Sequence, residues 1–145
     1  MQEVVKSKFE QTIMENLTSN GELLDLEDKN IGPEELSLLC DAEDLSSVKQ
    51  LFLSQNQLCG ESIEILSRVK GLTGLVSLYL NNNIIGDEEA KVLANAEVFK
   101  NLKCLMLEAN NIGTQGAESL ASSPNLKNLE VLFLDSNTIG PKGAR

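Results

Sequence analysis

The chain has no histidine and no tryptophan, and among 145 residues it has one tyrosine, four phenylalanines, three prolines and three cysteines. Each shortage closes off some chemistry. Without histidine no zinc site can be completed from these cysteines, and the commonest acid–base side chain is missing. There is no phosphate-binding glycine loop and no G-x-S-x-G nucleophile elbow. No catalytic residue, metal ligand set or cofactor is therefore expected. Cys40, Cys59 and Cys104 are spaced for neither a disulfide framework nor a metal knuckle, so free thiols in a reducing compartment are expected.

Long apolar runs are also lacking, and nothing approaches the roughly 20 apolar residues of a membrane span. The opening residues MQEVVKSKFEQ are charged and lack the apolar stretch and cleavage site of a secretory signal. The expected location is the cytoplasm, or a host cell if the chain is a delivered effector. Asn16-Leu17-Thr18 fits a glycosylation acceptor, which without such a signal is treated as chance.

Positive charge is scarce: 12 Lys and Arg stand against 22 Asp and Glu, a net charge of −10. Residues 1–44 hold 12 acidic and 3 basic side chains (−9), leaving 10 acidic and 9 basic (−1) for residues 45–145. That argues against nucleic acid or an anionic membrane as partner and favours a basic protein or peptide. Solubility and acids at helix starts account for the same charges equally well.

What the chain has in abundance is repetition. The stretch LYLNNNIIG at 78–86 returns 27 residues later as LMLEANNIG and then as LFLDSNTIG. Upstream it is LFLSQNQLCG from 51 and, after Leu24, DLEDKNIG. Leucine recurs at 24, 51, 78, 105 and 132 and again two residues later at 26, 53, 80, 107 and 134. Asparagine recurs at 56, 83, 110 and 137, with Lys29 in the first slot. Further apolar columns run through Leu45, Leu72, Phe99 and Leu126, and through Leu39, Leu66, Leu93 and Leu120.

Within each unit the period changes. L-x-L alternates like a strand, whereas the later apolar positions recur at three- and four-residue steps, as on a helix. Pro33 and the acids Glu34, Glu35, Glu61, Asp87, Glu88 and Glu89 stand where helices would begin. Each unit reads as strand, turn, helix and return loop. Neither element can bury its apolar face alone, so neighbouring units must stack.

The pattern L-x-x-L-x-L-x-x-N-x-I-G, followed by a G/A-x-x-L helix, resembles the leucine-rich repeat in its α/β, ribonuclease-inhibitor-like subtype. It is also similar to the repeats of intracellular nucleotide-binding immune receptors and of the Ran GTPase-activating protein. The resemblance covers residues 21–145, about four and a half units with the last incomplete. It implies an α/β solenoid, a horseshoe arc with a parallel concave sheet and convex helices. It further implies that Asn56, Asn83, Asn110 and Asn137 turn inward as a structural ladder bonding the backbone of adjacent turns. Buried amides need such partners in any case. Lys29 in the asparagine slot and Cys59 in the glycine slot depart from the pattern.

Residues 1–20 are expected to form an N-terminal capping helix, because Val5, Phe9, Ile13 and Leu17 share one helical face and Asn20-Gly21 supplies a stop. At the other end GPKGAR halts where a fifth helix would begin, leaving Leu132, Leu134 and Ile139 without a following repeat. Continuation in a longer protein is the favoured expectation, with self-association through the uncapped end as its alternative.

In stacked parallel strands the residue between the two core leucines faces outward. That column reads Asp25, Phe52, Tyr79, Met106 and Phe133. It is flanked by Leu23, Gln50, Ser77, Cys104 and Val131 on one side and by Glu27, Ser54, Asn81, Glu108 and Asp135 on the other. The expected concave face is thus an apolar stripe edged with carboxylates and acidic at its start through Glu22, Asp25 and Glu27. Two readings stay open: a binding stripe, or aromatic residues that simply suit a sheet.

Enzyme activity is not expected, and the unbroken 27-residue period leaves no insertion to host a catalytic loop. The favoured function is a protein–protein interaction module holding a protein or peptide on its concave face. Phe52, Tyr79, Met106 and Phe133 would be its anchors, and Glu22, Asp25, Glu27, Asn81, Glu108 and Asp135 its polar edge. The alternatives are a sensing or autoinhibitory segment of a larger regulator or host-directed effector, and a GTPase-activating accessory protein.

Overall fold

Leucines two residues apart cannot both lie in the core of a strand unless the residue between them points away, and that alternation builds one sheet. The computed structural model describes residues 2–41 and 45–139, with side chains described for 8–40 and 45–139. Helix α1 (Gln2–Asn16) leads into β1 (Leu23–Asp25) and α2 (Pro33–Asp41). Then follow β2 (Gln50–Phe52), α3 (Gly60–Leu66), β3 (Ser77–Tyr79), α4 (Asp87–Ala94), β4 (Cys104–Met106), α5 (Thr114–Ala121) and β5 (Val131–Phe133). Short 3-10 turns at Lys70–Leu72 and Glu97–Phe99 carry the chain from a helix back to the next strand. The five strands form one parallel sheet in chain order. Each strand is offset by one unit: Leu24 pairs with Leu51, Leu51 with Leu78, Leu78 with Leu105 and Leu105 with Leu132.

The core lies between the sheet and the helices. Leu24, Leu51, Leu78 and Leu105 are buried, as are Leu26, Leu53, Leu80 and Leu107, and from the helices Leu36, Leu39, Ile63, Leu66, Ala90, Leu93, Ala117 and Leu120. Consecutive helices pack on one another, and α1 packs on both α2 and β1. Phe9 of α1 is buried in this core, and Ile13 and Leu17 lie against it. The side chain of Val5 falls outside the described residues, as does everything from residue 140 onward, including Pro141.

The asparagine column ties the units together. Oδ1 of Asn83 accepts the backbone N–H groups of Asn56 (3.0 Å) and Leu58 (2.9 Å) in the preceding unit. Its Nδ2 donates to the carbonyls of Leu53 (3.2 Å) and Leu80 (3.0 Å). Asn56 serves Lys29 and Ile31 in the same way, and Asn110 serves Asn83 and Ile85. Asn137 accepts from Ile112 and donates to Leu107 and Leu134. Just before each column residue the chain turns through a left-handed conformation, at Asp28, Gln55, Asn82, Ala109 and Ser136, with φ between 51° and 60°. The tight turn is what lets the next side chain swing inward.

The glycine slot is different. Gly86 and Gly113 are extended, at φ −108° and −102°, and so is Cys59 at φ −154°. Any residue tolerates that backbone, which explains why cysteine can replace glycine there. Gly60, immediately after it, takes the positive φ of 20° instead.

Candidate functional site

Asp25, Phe52, Tyr79, Met106 and Phe133 are register partners along successive strands, on the sheet face opposite the core leucines. Asp25 is exposed, Phe52, Tyr79 and Met106 are half-buried, and Phe133 is 41% exposed. At about 4.8 Å between strands, the four large side chains span roughly 14 Å. Phe52 and Tyr79 stack face to face, with ring centroids 4.1 Å apart and planes 5° from parallel. Among the described residues this is the one aromatic pair.

The flank that begins at Glu27 divides in two. Ser54 is buried rather than outward-facing, because its hydroxyl accepts the N–H of Asn81 at 3.0 Å. Asn81 in turn accepts the N–H of Glu108 through Oδ1 at 2.7 Å. Ser54 and Asn81 thus form a second short ladder, two residues before the buried asparagines Asn56 and Asn83. Glu27 and Asp135 are exposed and Glu108 is half-buried. Asp25 accepts the N–H of Glu27 through Oδ1 at 3.1 Å. Glu22 lies 3.5 Å from the ammonium of Lys49, and this is the one ion pair among the described residues. The carboxylates of Asp25, Glu27, Glu108 and Asp135 therefore have no partner cation among the described residues.

On the other flank, Leu23, Ser77 and Cys104 are half-buried, and Gln50 and Val131 are exposed. Burial pushes the Cys104 thiol up from its ordinary value, so it is held as a neutral thiol. Cys40, within α2, and Cys59, just before α3, are free and exposed.

Sequence reasoning missed three groups. Asn101 and Asn128 reach back to the carbonyls of Thr73 and Lys100, both at 2.9 Å. Their 27-residue separation was visible, but an asparagine present in two units gives no hint of its partner. Asp87, read as favouring its own helix, bonds the next one: Oδ1 accepts the N–H groups of Gly113 and Gly116. Glu89 instead serves its own helix by accepting the N–H of Gly86 at 2.7 Å.

The parallel sheet, built at a one-unit offset, fits a leucine-rich-repeat fold. No family model matches the chain, and no curated protein matches it. Among solved structures it is similar to an internalin (inlF) from Listeria monocytogenes, at 20% identity and a TM-score of 0.42. That match covers 73% of this chain and 33% of the internalin chain. Among the described residues, no helix is long and apolar enough to cross a membrane.

Proposed function

We propose that the chain is a protein–protein interaction module that holds a protein or peptide on its sheet face. In this reading the units are leucine-rich repeats of the ribonuclease-inhibitor-like subtype, the sheet is the concave surface, and α1 caps the first unit. The observation that carries the reading is the aromatic stripe. Phe52, Tyr79, Met106 and Phe133 form a continuous large-side-chain ladder on the face turned away from the core, left partly open to solvent. Apolar ladders with polar rims mark interaction sites, and aromatics and Met are enriched at the centres of interfaces. The unpaired carboxylates at its rim suit a basic partner.

The rival explanation, sheet filling, attributes to the ladder only cross-strand stabilisation, of about 0.2–1 kcal/mol per pair. A double substitution separates the two. Phe52→Ala with Tyr79→Ala should lower the unfolding free energy by only about 1–2 kcal/mol. It should also abolish capture of peptides selected on the wild-type chain from a random displayed library. Undiminished capture by a folded double variant would move the binding surface elsewhere.

A further inference from the structure

The end of the aromatic stack next to Asp25 has the makings of a seat for one kind of side chain. Phe52 and Tyr79 sit on adjacent strands as register partners, and their rings are parallel within 5°. The ring normals therefore run along the direction from strand to strand. One face of Phe52 is occupied by Tyr79, and its other face looks toward the first rung, where the column residue is Asp25. Asp25 is short and exposed, and no aromatic ring from the described residues covers that outer face.

Each ring face is electron-rich, and stacking on Tyr79 uses one of the two faces of Phe52. A cation against the outer face is what such a stack attracts. On that side the register partner of Phe52 is Asp25, which carries a carboxylate. Asp25 uses Oδ1 on the N–H of Glu27, which leaves Oδ2 as an acceptor, and Glu27 itself is exposed nearby. Among the described residues neither carboxylate is paired with a lysine or arginine, the one ion pair being Glu22 with Lys49.

We infer that the Asp25–Phe52 end of the stripe seats an arginine side chain of the bound protein or peptide. Its guanidinium lies flat on Phe52 as a third layer of the stack and turns its N–H edge down onto the Asp25 carboxylate. The inference rests on the sheet-face reading above and adds to it a residue type and a position. Planarity decides between the two cations. A guanidinium has its charge and its donors in one plane, so a single placement satisfies the ring and the carboxylate at once. A lysine ammonium is a compact point charge on a flexible stem and must favour one or the other.

The chain supplies its own reporters. It has one tyrosine and four phenylalanines, and two of the latter, Phe9 and Phe99, are buried in the core as internal controls. The probe is the peptide acetyl-Gly-Arg-Gly-amide, titrated into the full chain while the aromatic ring resonances are followed by NMR. Its lysine and citrulline counterparts are titrated in parallel. The arginine peptide should shift the Phe52 and Tyr79 rings saturably, with a dissociation constant in the millimolar range, and leave Phe9 and Phe99 unmoved. The uncharged citrulline peptide should bind at least about tenfold more weakly and the lysine peptide several-fold more weakly. Asp25→Asn, a change on the exposed surface, should weaken the arginine peptide by roughly fivefold.

No saturable shift at Phe52 would overturn the inference, and so would equal binding of the arginine and citrulline or lysine peptides, or indifference to Asp25→Asn. The library experiment keeps the two levels apart. A silent arginine probe, with selected peptides still lost on Phe52→Ala/Tyr79→Ala, removes the arginine seat and leaves the binding face. If selected peptides also ignore the double substitution, both fall. If the library yields no binder, the arginine titration decides alone.

Discussion

Oδ1 of Asp87 accepts the backbone N–H groups of Gly113 (2.7 Å) and Gly116 (2.9 Å), so the first residue of α4 caps the first turn of α5. A helix start exposes N–H donors with no partner of their own, and a carboxylate there satisfies them and opposes the positive end of the dipole. Here the cap comes from the neighbouring unit. The equivalent positions one unit either side are Gly60 and Thr114, so no other described junction carries a carboxylate in this place.

Asp87→Ala should therefore destabilise the chain by about 1–2 kcal/mol, the usual cost of losing a side-chain cap. Asp87→Asn keeps an acceptor and should cost less than half of that. Urea unfolding at neutral pH reads both, and an Asp87→Ala variant as stable as wild type would mean that water caps α5 equally well.

Gly116 is the counterpart of that carboxylate. A Cβ built there would stand 2.7 Å from Asp87 Oδ1, 2.8 Å from Ile112 Cγ2 and 3.1 Å from Ala90 Cβ. Alanine is the better helix former by about 0.8–1.0 kcal/mol, yet Gly116→Ala should lower stability by about 1–3 kcal/mol because these groups are packed. The penalty should shrink in the Asp87→Ala background, where one of the three contacts is gone. A double-mutant cycle checks this, and strict additivity would show that the carboxylate is not what crowds the site.

The buried amide ladder predicts a gradient along the chain. Asn83→Ala strands the N–H groups of Asn56 and Leu58 among buried residues, whereas the carbonyls of Leu53 and Leu80 keep the Nδ2 donors of Asn56 and Asn110. At about 1–3 kcal/mol for an unsatisfied buried group, with water reaching some of them, the loss should be at least about 2–4 kcal/mol. Asn137 is only half-buried and has a single N–H to hold, that of Ile112. Asn137→Ala should cost clearly less. Equal losses at the two positions would contradict burial as the source of the effect.

How far the sequence announces this arrangement depends on whether a residue's job requires one residue type. Buried leucines must be apolar in every unit, so Leu24, Leu51, Leu78 and Leu105 make a visible column, and a parallel α/β sheet follows from their period. Alternation likewise puts Phe52 and Tyr79 on the other sheet face. Their parallel stacking depends on side-chain rotation, which no pattern of letters encodes. The burial of Ser54 escaped for a related reason: serine serves inside or outside, and only the Asn81 N–H beside it decides. The left-handed turn is the clearest case. Asp28, Gln55, Asn82, Ala109 and Ser136 share a backbone conformation and no side-chain chemistry.

That turn gives a stabilising prediction. Ala109 holds φ at 55°, a region costing an ordinary residue roughly 1–2 kcal/mol. Ala109→Gly removes the clash but adds chain entropy to the unfolded state, for a net gain of about 0.5 kcal/mol. Ala109→Asn, the residue type already used at Asn82, should gain a similar amount. Thermal melts of the two variants should both rise by a few degrees. A fall in both would mean that the Ala109 methyl contributes packing that outweighs the backbone strain.

Cys104 begins β4 on the flank of the aromatic stripe, and burial raises its thiol above the ordinary value. The thiolate is the species that reacts, so at any given pH a raised value means a smaller reactive fraction. Linkage has a matching sign. The folded chain keeps the proton longer than the unfolded one, so stability falls as pH rises from the unfolded thiol's range toward the folded one. In a Cys40→Ser/Cys59→Ser background, alkylation of Cys104 should need a higher pH in the native protein than in urea. A bound peptide lying over the sheet face should slow it further, because that partner would cover the half-buried thiol. Coincident pH profiles for native and unfolded chains would show that the site is as wet as open solvent. Protection by a selected peptide that fails to appear would place the peptide away from β4.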